Sequence, residues 1–194
     1  MLRPILLLLL CGLSSQKVIA TLSTPALQSS ASQSECNIKV NNKNIDYGQV
    51  SRWQLEKADG ASGLLTHGKR IVAADVVCTT AKPLQISVEG RRNEYGNFLY
   101  GRKGTLKLSL ISLTVNGEAA LPDEITSPFP QKENLSMPQK IMPGDVIVVG
   151  KKNPVTQMTL QFEVEPLLTG SELNVPQRTE NQGGFILTLR TSTP

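Results

Sequence analysis

Two short runs of alternating apolar residues, each carrying one cysteine, constrain this chain most. CNIKVNNKNIDYGQV begins at Cys36 and KRIVAADVVC ends at Cys78. In an extended strand successive side chains point to opposite faces. Ile38 and Val40 therefore share one face, and Val72, Ala74, Val76 and Cys78 share another. The reading is two neighbouring strands joined by a Cys36–Cys78 disulfide. Such a bridge closes a loop of about 43 residues, which chain-entropy arguments value at roughly 4 kcal/mol. It also ties down an N-terminal strand at an end that otherwise frays.

The third cysteine, Cys11, falls in a segment that does not read as fold. Arg3 supplies a positive start, ILLLLLCGL is an apolar run too short to span a bilayer, and a more polar stretch ends in Val18-Ile19-Ala20. This predicts a secretory signal over residues 1–20. A lipid-attachment role for Cys11 is disfavoured by Leu10, where a small residue is expected. Removing the segment takes away Cys11, Arg3 and Lys17. The net charge falls from +4 to +2. One cysteine pair is left for an exported compartment, where disulfides persist. No second apolar stretch is long enough to cross a membrane as a helix. The basic residues are scattered among the acids, with their densest group, Arg91, Arg92, Arg102 and Lys103, in an expected loop. That is not the concentrated basic face of a nucleic-acid binder.

Residues 21–35, TLSTPALQSSASQSE, are too polar to bury a face and read as a leader, in which Leu22, Ala26 and Leu27 give only a faint apolar pattern. Residues 36–194 read as one β domain. The first strand is expected at Asn37–Val40, resuming at Asn44–Tyr47 beyond an Asn-rich turn or bulge. A Gly-rich loop spans residues 56–70, with Trp53 before it as an expected core or edge anchor. Further strands are expected at 70–78, Leu84–Val88 and 105–115. In the last of these, Leu106, Leu108 and Leu110 give way to Ile111, Leu113 and Val115. That one-residue change of face predicts a β-bulge, and Asn116-Gly117 then predicts a tight turn. A polar loop over Gly90–Gly104 carries Tyr95, Phe98 and Tyr100. Residues 118–143 hold five prolines and read as an irregular crossover. Asp145–Val149 is a short buried strand. Met158, Leu160, Phe162 and Val164 alternate with polar residues until Pro166, which is expected to end the strand. Phe185, Leu187 and Leu189 mark a final strand, Phe185–Arg190. Seven or so short strands without helical periodicity predict an all-β, immunoglobulin-like sandwich.

No catalytic, metal or cofactor constellation emerges. His67 is the single histidine and sits in a Gly-rich loop, where it reads as a solvated residue. No nucleophile elbow accompanies it, and a zinc cluster lacks a second histidine. Gly63–Lys69 matches the first seven positions of a phosphate loop, but Arg70 stands where Ser or Thr must hold magnesium. Asp46 and Asp75 read as surface carboxylates, and Asn134–Ser136 as a chance glycosylation sequon.

Taken together, the signal, the leader, Cys36, Asp46-Tyr47-Gly48, Cys78 and the strand Phe185–Arg190 after Gly183-Gly184 resemble pilin subunits of chaperone–usher fimbriae. The resemblance covers most of the mature chain as a layout. It implies a sandwich lacking its last strand, with an apolar acceptor groove beside the C-terminal strand. A periplasmic chaperone fills that groove first, and the leader of a neighbouring fimbrial subunit replaces it at the usher by β-augmentation. It further implies that Phe185, Leu187 and Leu189 line the groove opposite Ile38 and Val40. Residues 21–35, with Leu22, Ala26 and Leu27, become the donor strand. Localisation would be periplasm, then fimbrium at the cell surface, with a role in cell adhesion and no enzymatic activity. The chain ends Arg-Thr-Ser-Thr-Pro where the family carries an aromatic, and its leader lacks a central glycine, as expected of a divergent minor or accessory subunit. The competing reading is a self-sufficient exported sandwich, similar to spore-coat-U-type proteins. Its 90–104 loop, with Tyr95, Phe98, Tyr100 and three arginines, would bind a glycan or surface ligand.

Overall fold

The computed structural model describes residues 35–60, 63–128, 135–173 and 180–191. The expected signal (residues 1–20), the leader positions Leu22, Ala26 and Leu27, and Asn134 lie outside them.

The described chain is an all-β, immunoglobulin-like sandwich of antiparallel strands. Its spine is β12 (Val155–Thr169), paired on one side with β4 (Arg70–Lys82) and on the other with β7 (Gly104–Val115). Outside β4 lies β1 (Cys36–Val40). Two short strands, β2 (Glu56–Lys57) and β3 (Leu64–Thr66), extend the β4 side. Outside β7 lie β6 (Phe98–Tyr100), β8 (Glu118–Ala119) and β10 (Gln139–Ile141). The second sheet has the order β13 (Ile186–Thr191), β5 (Leu84–Glu89), β11 (Asp145–Val149), β9 (Glu124–Thr126). A single helical turn, α1 (Gly170–Leu173), follows β12.

The alternating positions read from sequence become the core. Met158, Leu160, Phe162 and Val164 are buried against Val72, Ala74 and Val76 on one side and Ile86, Val88 and Ile147 of the facing sheet. Aliphatic side chains supply most of this interior. At roughly 1.5–3 kcal/mol for each fully buried large side chain, their burial is the main favourable contribution to the fold. In β7 the pairing steps from Leu110↔Phe162 to Ser112↔Gln161, so Ile111 is the extra residue of a bulge. Leu106, Leu108 and Leu110 before it, and Leu113 and Val115 after it, all reach the core. Asn116 and Gly117 then take φ of 51° and 88°, the positive pair a two-residue hairpin turn needs. The Asn116 carboxamide oxygen accepts from the N–H groups of Thr156 and Gln157, fastening the turn to β12.

Cys36 and Cys78 face each other in register across β1 and β4, Cα–Cα 4.0 Å, and are joined in a disulfide. The Thr79 N–H donates to the Glu35 carbonyl and Lys82 pairs with Glu35, fastening the start of β1 to β4.

Several expectations are corrected. Pro166 does not end β12. β4 stops opposite Val164 and β3 resumes opposite Leu167, so Pro166 stands against an interruption in the neighbouring strand, where a missing N–H removes least from the ladder. Residues 118–143 contain the short strands β8, β9 and β10. Residues 56–70 contain β2 and β3, while Asn44–Tyr47 forms no strand. Trp53 is no anchor: it is 92% exposed, on a 3-10 turn over Arg52–Gln54.

Candidate groove between the edge strands

β1 and β13 are edge strands of opposite sheets. Among the described residues each pairs with a neighbour on one side only. The sandwich is open where β1 ends and β13 begins. A groove of about 1770 Å³ runs between the chain leaving β1, Val40 to Leu55, and the chain entering β13, Glu180 to Leu187. Its floor is the inner face of the first sheet at Val72, Leu106, Val164 and Leu168. Phe185 packs on Phe162 and Phe98, ring centroids 5.9 and 6.3 Å apart, but stays only half-buried, as do Leu187 and Leu189. Of the residues expected at such a groove, Phe185, Leu187 and Val40 line it. Ile38 and Leu189 pack against the core and are not part of the lining.

One end of the groove is walled by three rings. Asp46-Tyr47-Gly48 folds into a tight turn in which Asp46 Oδ1 accepts from the Gly48 N–H at 2.7 Å and Gly48 has φ 69°. This turns Tyr47 onto the sheet end, where its hydroxyl donates weakly to the Val164 carbonyl at 3.4 Å. The Arg70 guanidinium lies 5.4 Å from the Tyr47 ring centre, a cation–π contact. His67 sits between Tyr47 and Tyr100, at 5.4 and 6.1 Å between ring centres. It occupies the break between β3 and β4, and its Nδ1 is buried without a hydrogen-bond partner among the described residues. Burial lowers the His67 pKa below its ordinary value, favouring neutral imidazole. Burial also pushes the Tyr47 hydroxyl up to about 12, against the opposing pull of Arg70, and raises that of Tyr100. His67 is therefore not the solvated loop residue its Gly-rich context predicts. Nothing local in the sequence announces the packing, which depends on the Asp46–Gly48 turn and on β6.

The start of β13 is set by glycine. Gly183 bridges to Tyr100, and a Cβ there would fall 2.8 Å from the Leu99 carbonyl oxygen. Only a residue without a side chain lets the two backbones approach this closely.

The 90–104 segment does not present its aromatics together. Phe98 and Tyr100 are buried at 1% and 7% exposure, and Tyr95 alone is exposed at the tip. Asn93 organises the tip, accepting from the N–H groups of Tyr95 and Asn97 and donating to Thr105 Oγ1. Arg92 donates to the Pro143 carbonyl at 2.8 Å. Elsewhere Asp75 accepts from Thr159 and Asn41. No group of three metal-ligating side chains occurs among the described residues, and no helix among them is long and apolar enough to cross a membrane.

No family model and no curated protein matches this chain. Among solved structures it is similar to one described as a chaperone–tip adhesin complex vital for synergistic activation of CFA/I fimbriae biogenesis. The two are 14% identical with a TM-score of 0.44, over 81% of this chain and 42% of the other. This chain thus spans less than half the length of its neighbour.

Proposed function

We propose that this chain is a structural subunit of a chaperone–usher-type fimbrium, a divergent minor or accessory one, exported to the periplasm and assembled at the cell surface in cell adhesion. The observation that carries the reading is the flank between β1 and β13. Two strands that pair on one side only among the described residues meet at an open groove, β1 at Val40 and β13 at Ile186 and Leu187, and its wall carries the half-covered apolar side chains of Phe185 and Leu187. An extended segment from another chain satisfies both needs at once. Its backbone pairs with a free edge and its side chains cover the open core. A periplasmic chaperone supplies that segment first, and the leader of a neighbouring subunit, residues 21–35, replaces it at the usher.

The test is expression of residues 21–194 in the periplasm with and without a candidate chaperone, followed by sizing of the soluble fraction. The expected result is solubility only as a one-to-one complex. A stable, cooperatively unfolding monomer would overturn the proposal in favour of a self-sufficient binding module.

A further inference from the structure

The ringed end of the groove has a chemistry that the apolar floor does not. Nδ1 of His67 is a buried atom with no hydrogen-bond partner among the described residues, where nearly all buried polar groups in folded proteins are paired. Neutral imidazole carries one donor and one acceptor nitrogen; in the tautomer protonated at Nε2, Nδ1 is the acceptor and the missing partner is a hydrogen-bond donor.

Strand direction says which part of a donor arrives there. β1 runs from Cys36 toward Val40 and the groove. β13 starts beside Tyr100, through the Gly183 bridge, and runs away toward Thr191. A strand added antiparallel to β13 enters beside Thr191 and finishes at His67. The leader is itself divided: Leu22, Ala26 and Leu27 come first, then Gln28, Ser29, Ser30, Ser32, Gln33 and Ser34. Inserted antiparallel to β13, it lays its apolar part toward Leu187 on the groove wall and delivers its polar part to His67. At about 3.3 Å per residue it is long enough to do so and still connect to its own domain. The leader of the same molecule is tethered at the wrong end. Its C-terminal side is fixed through Glu35 at the Cys36–Cys78 end of β1, away from Val40.

Resting on the fimbrial reading above, we propose that His67 forms a polar subsite of the groove, in which its Nδ1 accepts a hydrogen bond from a hydroxyl or carboxamide within Gln28–Ser34 of a second copy of this chain. The test uses residues 21–194, with its chaperone if one is required for solubility, and a labelled peptide of residues 21–34. Capture of the peptide is followed by native mass spectrometry and by anisotropy. His67→Phe keeps a ring and removes the acceptor. A second peptide carries Ala at every position from Gln28 to Ser34, leaving the protein untouched. Each change alone is expected to weaken capture about tenfold, and the two together no more than either alone. Equal capture by His67→Phe, or losses that simply multiply, would overturn the subsite. So would failure of the unmodified peptide to bind while the one-to-one chaperone complex still forms, which leaves the fimbrial reading standing. A stable monomer without any partner removes both.

Discussion

β12 and β13 carry the same pattern in sequence and meet different fates. Each sets an apolar residue at every second position, from Met158 to Val164 in one and from Phe185 to Leu189 leading into and along the other. In β12, flanked on both sides, Leu160 and Phe162 are completely buried. In β13, flanked on one side, Phe185, Leu187 and Leu189 face the same core and remain half-buried, while Ile186 on the outer face is 63% exposed. Alternation fixes which face a side chain takes. Neighbouring strands decide how far that face is covered. An edge strand with an apolar inner face and an open groove beside it therefore keeps that face part-exposed, which its own sequence does not record.

The sharpest way to break this comparison is to truncate the centre. Phe162→Ala removes a ring that touches the core on all sides, and its loss is expected to cost about 3–5 kcal/mol in urea denaturation. A cost near 1 kcal/mol would mean that the centre is no better packed than the flank. Replacing both cysteines by alanine is expected to cost about 2–4 kcal/mol. It also releases β1 from β4, so amide exchange should rise in Asn37–Val40 well before it rises in β12.

Leu187→Ala addresses the flank directly. Half-buried, it is expected to cost about 1–2 kcal/mol in protein without a donor strand. When the groove is filled the cost should approach that of a covered leucine, about 2–5 kcal/mol. Equal costs in the two states would show that no strand covers this face.

The pH response separates the ringed end from the rest. Burial lowers the folded-state pKa of His67, so as pH falls below about 6.5 the unfolded chain takes up the proton first. Stability linked to this residue is present above that pH and is lost as pH falls toward the folded-state value. The neighbouring phenols of Tyr47 and Tyr100 have raised pKa values and stay protonated in this window. Denaturation midpoints between about pH 7.5 and 5.5 should therefore show a decline that His67→Phe flattens. An unchanged slope in the variant would assign the decline to carboxylates elsewhere.

Much of this was legible because it is local. The bulge at Ile111 is written as a change of parity between Leu110 and Leu113. The Asn116-Gly117 turn follows from the two residues best able to take positive φ. The Cys36–Cys78 pairing comes from two runs that each offered one cysteine once the expected signal is set aside. What was not legible depends on distant partners. Pro166 reads as a strand end, yet the gap between β3 and β4 accommodates it. Phe98 and Tyr100 sit in a segment of loop composition and are buried by pairing with β7. His67 and Tyr47 meet only because the Asp46–Gly48 turn and the break in the β4 side lie at the same end of the sheet.

Trp53 is the clearest such case, and its removal should have the smallest effect. A lone tryptophan beside a Gly-rich stretch reads as an anchor because burying so large a side chain ordinarily stabilises a fold by several kcal/mol. Here the chain leaves the β sheet after Val40 and reaches Trp53 on an exposed 3-10 turn. Ser51 and Gln54 close that turn through the Ser51 N–H and the Gln54 carboxamide oxygen at 2.8 Å, without using the indole. With 92% of the side chain in solvent, little apolar surface is removed from water. Trp53→Ala should therefore shift the unfolding free energy by no more than about 0.5 kcal/mol. A loss of about 2 kcal/mol or more would show that the indole is covered in the working protein. Because Arg52 and Gln54 on either side line the groove, the covering partner would then have to reach beyond the groove itself onto its rim.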